Sequence, residues 1–382
     1  MAVRVLRTKT DCADFLTGLK LLGTGGGGSP VSGMEMLTNA LADGLELSWI
    51  DAADLPEDTF SCTAYGSGSI SEDTPSCLEE IETLAGKLGI PNKYGYHAAD
   101  VAVKELAAYA DVKVGAIVPV ELGASNTPAP LVTAARMGIP LVDGDYSGRA
   151  VPQDMQTTYF LKSIPTHPAA IVDWWGNVLI LKEAANTEMG ERIGKMLSVA
   201  SHGVVYFASM LLSAKDTRET IVPGTLTLSF ELGRKVRTAR EEGRDPILEA
   251  ARVLDGWEFF SGEVTGKDWE DKDGVMVGTT HIMGSGKYEG QQMDVWFLNE
   301  NHVTWLDGQP YVFSPDLIIL ADPLSGEGYT NTEIKTGDMV AVLGTKCFPL
   351  FRSELGLKYF GPRFWGFDID YIPIEAVMAA RS

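Results

Sequence analysis

Apolar positions recur with helical spacing through the first half of the chain. Residues 11–22 place Phe15, Leu16, Leu19 and Leu22 on one face, which predicts an amphipathic helix. A second helix is expected over about 33–42, with Met34, Leu37 and Leu41 inward and Asp43-Gly44 closing it. Residues 45–50 then have strand character, and 60–64 have it more weakly. Residues 98–110 form a helix on Val103, Leu106, Ala107 and Ala110. The run 112–120 is rich in β-formers, and Pro119 removes a ladder donor near its end. A short helix at Pro128–Met137, with Asn126 or Thr127 as its expected cap, leads to a strand at 139–142. Strand, helix and strand in that order require parallel strands joined by a right-handed crossover.

The pattern changes near residue 165. Ala169–Asp173 and Val178–Leu181 flank Trp174-Trp175-Gly176-Asn177 and form a hairpin. Helices are expected near 187–200, 230–242 and 246–254. After about residue 256 short strands should dominate, turning at Asp273-Gly274, Asp307-Gly308 and Gly337-Asp338. With 382 residues, two domains are expected, an α/β domain at 1–165 and a β-rich domain at 166–382, divided at Pro165-Thr166-His167-Pro168.

Charge narrows the set of partners. The chain has 52 acidic and 31 basic side chains, a net charge of −21, with the excess spread over both halves. It lacks the basic surplus that neutralises phosphate backbones or anionic lipid, so neither nucleic acid nor membrane is an expected partner. No apolar run approaches the roughly 20 residues of a membrane span, and the first 15 residues lack the core of a secretory signal. Four cysteines (Cys12, Cys62, Cys77, Cys347) form no CxxC pair, which disfavours both thiol–zinc sites and disulfide scaffolds. The expected location is cytoplasmic.

Candidate chemistry gathers just past the predicted parallel strands, where open α/β sheets bind ligands. Glu121-Leu-Gly-Ala-Ser-Asn126 is followed by Asp143-Gly-Asp145-Tyr-Ser-Gly-Arg149-Ala-Val-Pro152. Glu121, Asp143 and Asp145 could hold a hard divalent cation, or supply a general base beside Arg149 and Asn126. Turn and capping roles suit the same aspartates. Gly23-Thr24-Gly25-Gly26-Gly27-Gly28 could form an anion-binding nest or a tight turn for helix packing. A helix precedes it and no Lys-Ser/Thr pair follows, so no nucleotide cofactor is expected. Asn299-Glu300-Asn301-His302 is a dense polar patch, either a loop or the second domain's contribution to a site. The five histidines show no metal-ligand spacing. Trp174-Trp175 and Phe364-Trp365 fit core or interface positions.

Taken in order, these segments resemble the motifs of the S-methyl thiohydantoin desulfurase-like family. The resemblance runs through Leu22-Gly-Thr-Gly-Gly-Gly-Gly28, Glu121–Asn126, Val142–Pro152, Phe297-Leu-Asn-Glu-Asn301, Ser314-Pro-Asp-Leu-Ile318 and Gly361-Pro-Arg-Phe-Trp-Gly-Phe-Asp368. It implies a Rossmann-like α/β N-terminal domain with parallel strands and a β-rich C-terminal domain. It also implies hydrolytic desulfurisation of a hydantoin-type five-membered ring in an acidic interdomain site. Implied as catalytic are Glu121, Asp145 and Arg149. Implied as substrate-binding are Thr24, Gly25, Gly26, Gly27, Asn126, Asn299 and Glu300. Glu121, Asp143 and Asp145 are the expected ligands of a divalent metal, Mg²⁺ or Mn²⁺ before Zn²⁺. A homo-oligomer is expected, and a hydantoinase/oxoprolinase-type partner is the alternative context, in which the chain is a non-catalytic accessory subunit. Two departures stand out. Leu122-Gly-Ala124 replaces the usual Ile-Gly-Gly, and Gln153, which cannot ionise, follows Pro152 where the family usually has Glu.

Overall fold

Helix formation starts from local chemistry. At Lys9–Leu22 the Thr8 hydroxyl accepts from the Asp11 amide while the Asp11 carboxylate accepts from the Thr8 amide, a complete capping box. Its inner face buries Phe15, Leu16, Leu19 and Leu22, and Phe15 stacks on Trp49 at 5.2 Å. The computed structural model describes residues 4–68, 78–272 and 275–381. Cys77 and the expected turn at Asp273-Gly274 lie outside the described residues.

Among the described residues, eight strands form the first sheet. Their order is Val5–Leu6, Leu47–Ile50, Leu141–Val142, Val114–Ile117, Phe60–Gly68, Val204–Ser213, Ala169–Asp173 and Val178–Leu181. The four strands from Leu47–Ile50 to Phe60–Gly68 are parallel, as the crossover at Pro128–Met137 requires. The remaining strands pair antiparallel, so the sheet is mixed. Three strands C-terminal to residue 165 extend it. The hairpin at Ala169–Asp173 and Val178–Leu181 is closed by the Asp173 carboxylate, which accepts from the Trp175, Gly176 and Asn177 amides.

A seven-stranded antiparallel sheet forms the second layer, in the order Gln309–Phe313, Glu300–Leu306, Gln292–Leu298, Val275–Gly284, Trp257–Lys272, Met339–Thr345 and Leu317–Ala321. The expected run of short strands is wrong at Trp257–Lys272, which is 16 residues long. Irregularities at Glu258/Phe260 and Val264/Gly266 bend it, and it passes from one partner strand to the other.

The layers meet through helix packing. Helix Thr225–Glu241 crosses Lys9–Leu22 so closely that a Cβ on Gly233 would stand 1.7 Å from the Asp14 carbonyl oxygen. A bidentate Arg237–Asp14 pair at 2.7 and 2.9 Å braces the crossing. This helix begins at Thr225, not near 230, and the reason is remote in sequence. Its N-cap, Gly224, has no side chain, and the Asp143 carboxylate accepts from the Leu226 and Thr227 amides at 3.1 and 3.0 Å. Among the described residues no helix is long and apolar enough to cross a membrane.

Candidate functional site

The glycine loop ends the first helix and runs between the two sheets. Thr24 (φ 50°), Gly25 (φ 100°) and Gly27 (φ 84°) take left-handed conformations. On one side, the Gly27 carbonyl accepts from the Ser125 and Asn126 amides at 3.0 and 3.3 Å. On the other, the Thr24 carbonyl accepts from the Asn301 amide at 2.8 Å, and Gly25 from the Asn331 amide at 2.6 Å. Contacts are too close for side chains. A Cβ on Gly27 would meet Gly123 Cα at 2.4 Å, and one on Gly26 would meet Glu300 Oε1 at 1.7 Å. The loop therefore joins the Glu121–Asn126 segment to the second sheet. The nest expectation needs correction in one respect. The Gly27 amide serves the protein's own Glu300 carboxyl.

Glu121 and Glu300 are the two acids at this joint. Glu121 is half-buried. Its Oε1 accepts from Asn126 Nδ2 and its Oε2 from the Val151 amide, both at 2.6 Å. Burial raises its pKa to about 7; the charges of Asp145 and Asp154 add to the rise, and the two hydrogen bonds oppose it. Glu300 is buried, and its Oε2 has no protein partner. Burial and the Glu121 charge hold it well above the usual carboxylate range, against the pull of Arg149. Both carboxyls are thus displaced toward the protonated form. Asn299 (φ 56°) is the tip of the tight turn that delivers Glu300 onto its strand, so this patch is a turn and strand rather than a loop.

Arg149 is fully enclosed, and each of its nitrogens has a protein partner. Nη2 donates to Thr24 Oγ1 at 2.7 Å and to the Asn301 carbonyl at 3.1 Å. Nη1 reaches the Asp316 carbonyl at 3.3 Å, and Nε the Ala150 carbonyl at 3.0 Å. These bonds tie the first half to the glycine loop and the second sheet. Asp145 Oδ2 accepts from the Ser147 and Gly148 amides at 3.0 and 2.7 Å, closing its own turn, and burial raises its pKa to about 6. Asp143 caps the helix described above and accepts a further bond from the Thr227 hydroxyl. The expected metal triad of Glu121, Asp143 and Asp145 is not gathered into one site: Asp143 caps the helix at Thr225–Glu241, and Asp145 Oδ2 closes its own turn while its Oδ1 is buried without a partner. Among the described residues no three His, Cys, Asp or Glu side chains converge on a point that could hold one. The capping expectation for Pro128–Met137 also changes. Asn126 holds Glu121, while the Thr127 hydroxyl accepts from the Gly123 amide and donates to the Glu121 carbonyl.

Two further groups lie near the joint. His302, the end of the polar patch that sequence marked, is fully buried and stacks on Trp365 at 4.1 Å with neither ring nitrogen hydrogen-bonded. Burial and the Arg149 charge keep it neutral. Asp154, which sequence did not mark, lies three residues beyond Val151 and accepts the Tyr159 hydroxyl at 2.7 Å. Its proximity to Pro152-Gln153 was the one available signal.

A mixed α/β layer joined through a glycine loop to an antiparallel layer, with two interacting carboxyls at the joint, defines a two-layer protein with a candidate acid–base centre. The chain belongs to the S-Me-THD-like family, that is, S-methyl thiohydantoin desulfurase-like. The family's N-terminal domain matches residues 10–183 and its C-terminal domain residues 185–374. Its fold is similar to the crystal structure of a Chromobacterium violaceum protein, with TM-score 0.74 and 19% identity over 97% of this chain and 100% of that one. No curated protein matches it.

Proposed function

We propose that this protein hydrolyses the carbon–sulfur bond of an S-methylthiohydantoin-type ring, with Glu121 as the general base. The observation that carries the reading is the placement of two carboxyls on the glycine loop: Glu121 held by Asn126 and the Val151 amide, and Glu300 buried against Gly26, with burial raising Glu121 to about 7. A base is most effective when its pKa lies near the working pH. The family name supplies the substrate class.

Glu121 takes one proton from water as the water oxygen bonds to the ring carbon between the two nitrogens and the electrons of the C=N bond move onto the ring nitrogen. The hydroxyl's remaining proton passes to that nitrogen as the carbonyl forms and the carbon–sulfur bond breaks, and Glu121 returns the first proton to the departing sulfur. The products are a hydantoin and methanethiol. A thiolate leaves more readily than an amine, so one acid–base group suffices. Asn126 fixes the orientation of Glu121 through the 2.6 Å bond. Arg149 is a positioning residue in this scheme, because each of its nitrogens donates to the protein, and Asp145 is one because its Oδ2 closes the turn that precedes Arg149. The test is thiol release from S-methylthiohydantoin, followed with a thiol reagent. Wild-type protein releases thiol and Glu121→Gln does not. Equal release by both, or none by the wild type, refutes the proposal.

A further inference from the structure

The first sheet ends in an unprotected edge. Val178–Leu181 is its last strand, and among the described residues no strand pairs with it on the outer side. A free edge offers unpaired backbone groups to other chains, and proteins blunt such edges with charge, proline, bulges or cover. The other three edges of the two large sheets follow that rule. Val5–Leu6 is two residues long and lies between Arg4 and Arg7. Gln309–Phe313 carries Pro310. Leu317–Ala321 is buried throughout, and the Leu320 carbonyl accepts from the Tyr329 amide at 2.8 Å. Val178-Leu-Ile-Leu181 has no charge, no proline and no bulge.

Its backbone is set out for a further strand. The Asp173 amide donates to the Asn177 carbonyl at 3.2 Å, and two residues on, Ile171 lies opposite Leu179. Bonded pairs alternate along an antiparallel ladder. Asn177, Leu179 and Leu181 therefore bond inward, while Val178 and Ile180 turn their N–H and C=O groups outward. Those outward groups are symmetric about Leu179, so an antiparallel copy of the same strand is their complement.

Side chains at the edge call for the same kind of cover. Val178 and Leu179 are each 39% exposed, and neighbours on a strand face opposite ways. Leu179 stands opposite Ile171, on the face that helix Thr187–Ala200 covers with Leu197. Val178 stands opposite Val172, on the face of the main core. A helix or loop laid on one face would cover one of the two, whereas a strand continuing the sheet covers both. On Leu179's side the same helix adds exposed Met189, Met196 and Val199. Charge also favours a second copy. The chain carries −21 overall, yet residues 174–182 contain no acid and one base, Lys182, so two copies meet little repulsion along this strand.

We propose that Val178–Leu181 is a dimer seam, in which two copies of the chain pair these strands antiparallel about a two-fold axis at Leu179 and join their first sheets into one. Val178 of each copy exchanges both backbone bonds with Ile180 of the other, and the two Leu179 side chains meet in the close pair between them. Both copies of helix Thr187–Ala200 then lie on one face of the joined sheet. The seam is independent of the reaction assigned above.

Light scattering after gel filtration of the full-length chain measures the mass. Wild type should run at twice the 41.2 kDa of one chain. Leu179→Lys sets two like charges opposite each other in the seam and should weaken the dimer at least about 100-fold, giving a monomer with an unchanged circular-dichroism spectrum. Leu324→Lys, at an exposed site elsewhere, should stay dimeric. Leu179→Cys in a Cys77→Ser background tests the register, because Cys12, Cys62 and Cys347 are buried. Cysteines facing each other in a close antiparallel pair are within disulfide reach. Oxidation should therefore yield a covalent dimer that reductant cleaves, and Leu324→Cys in the same background should yield none. A monomeric wild type, a Leu179→Lys that remains dimeric, or no cross-link in Leu179→Cys overturns the seam.

Discussion

Replacing Arg149 with Met separates a joint from a catalyst. The guanidinium is 1% exposed, lies 5.2 Å from the Phe360 ring centroid, and donates to Thr24 Oγ1 and to the carbonyls of Ala150, Asn301 and Asp316. Met fills much of the same volume but offers no donor, so these acceptors lose their partner inside the protein. Each hydrogen bond to a charged group contributes about 1.5–3 kcal/mol net, but the contributions do not add fully. Breaking one side of a buried charged arrangement costs about 3–5 kcal/mol in all. Against a typical stability of about 5–15 kcal/mol, that is a large fraction. Arg149→Lys keeps the charge but replaces the planar fork with a single ammonium, so an intermediate loss is expected. Urea unfolding followed by circular dichroism measures both. If Arg149→Met unfolds within about 1 kcal/mol of wild type while thiol release falls 100-fold, the guanidinium serves chemistry and the joint assignment is wrong.

Glu121→Gln should lower kcat/KM for thiol release by about 100-fold or more. The wild-type rate should climb as pH rises through about 7, where Glu121 ionises, and the variant should lose that limb. Stability runs the other way. A carboxyl raised from 4.5 to about 7 favours the folded state at low pH, and that contribution is lost as pH rises across this window. Glu121→Gln should therefore gain in urea midpoint relative to wild type between pH 5 and pH 8. Asp143→Ala removes the acceptor at the start of Thr225–Glu241 and should cost about 1–2 kcal/mol by the same assay. Gly27→Ala meets Gly123 backbone at 2.4 Å and forces a left-handed alanine. Overpacking of about 1–3 kcal/mol and conformational strain of about 1–2 kcal/mol should lower its melting temperature.

Much of the fold was legible wherever local signals agree with the final packing. Pro128–Met137, the hairpin at Ala169–Asp173 and Val178–Leu181, and the helix at 187–200 lie where periodicity and turn chemistry place them. Failures come from partners distant in sequence. Thr225–Glu241 takes its cap from Asp143, 82 residues before its first turn's Thr225 in the numbering, and no local signal marks that start. Trp257–Lys272 is long because two different strands continue it. At the site, the order of motifs brought Thr24, Glu121, Asn126, Arg149 and Glu300 into view, and the structure places them around one loop. What sequence could not tell apart was an aspartate that closes a turn from one that faces a ligand. Asp143 and Asp145 look the same in the sequence as an exposed acidic pair would. Asp154 becomes visible only once the helix at Thr187–Ala200 covers it.

The strand order also limits how the chain can be divided. Phe60–Gly68 pairs along its length with Val204–Ser213, which lies beyond the match to the N-terminal family domain. A fragment cut between the two family segments would lose that neighbour and leave a long open edge in the middle of the first sheet, the kind of surface that recruits other chains. It would also strip Arg149 of its acceptors in the second sheet and the glycine loop of its Asn301 and Asn331 contacts. The two segments have separate boundaries as sequences, but as folding units they have to be made, and engineered, together.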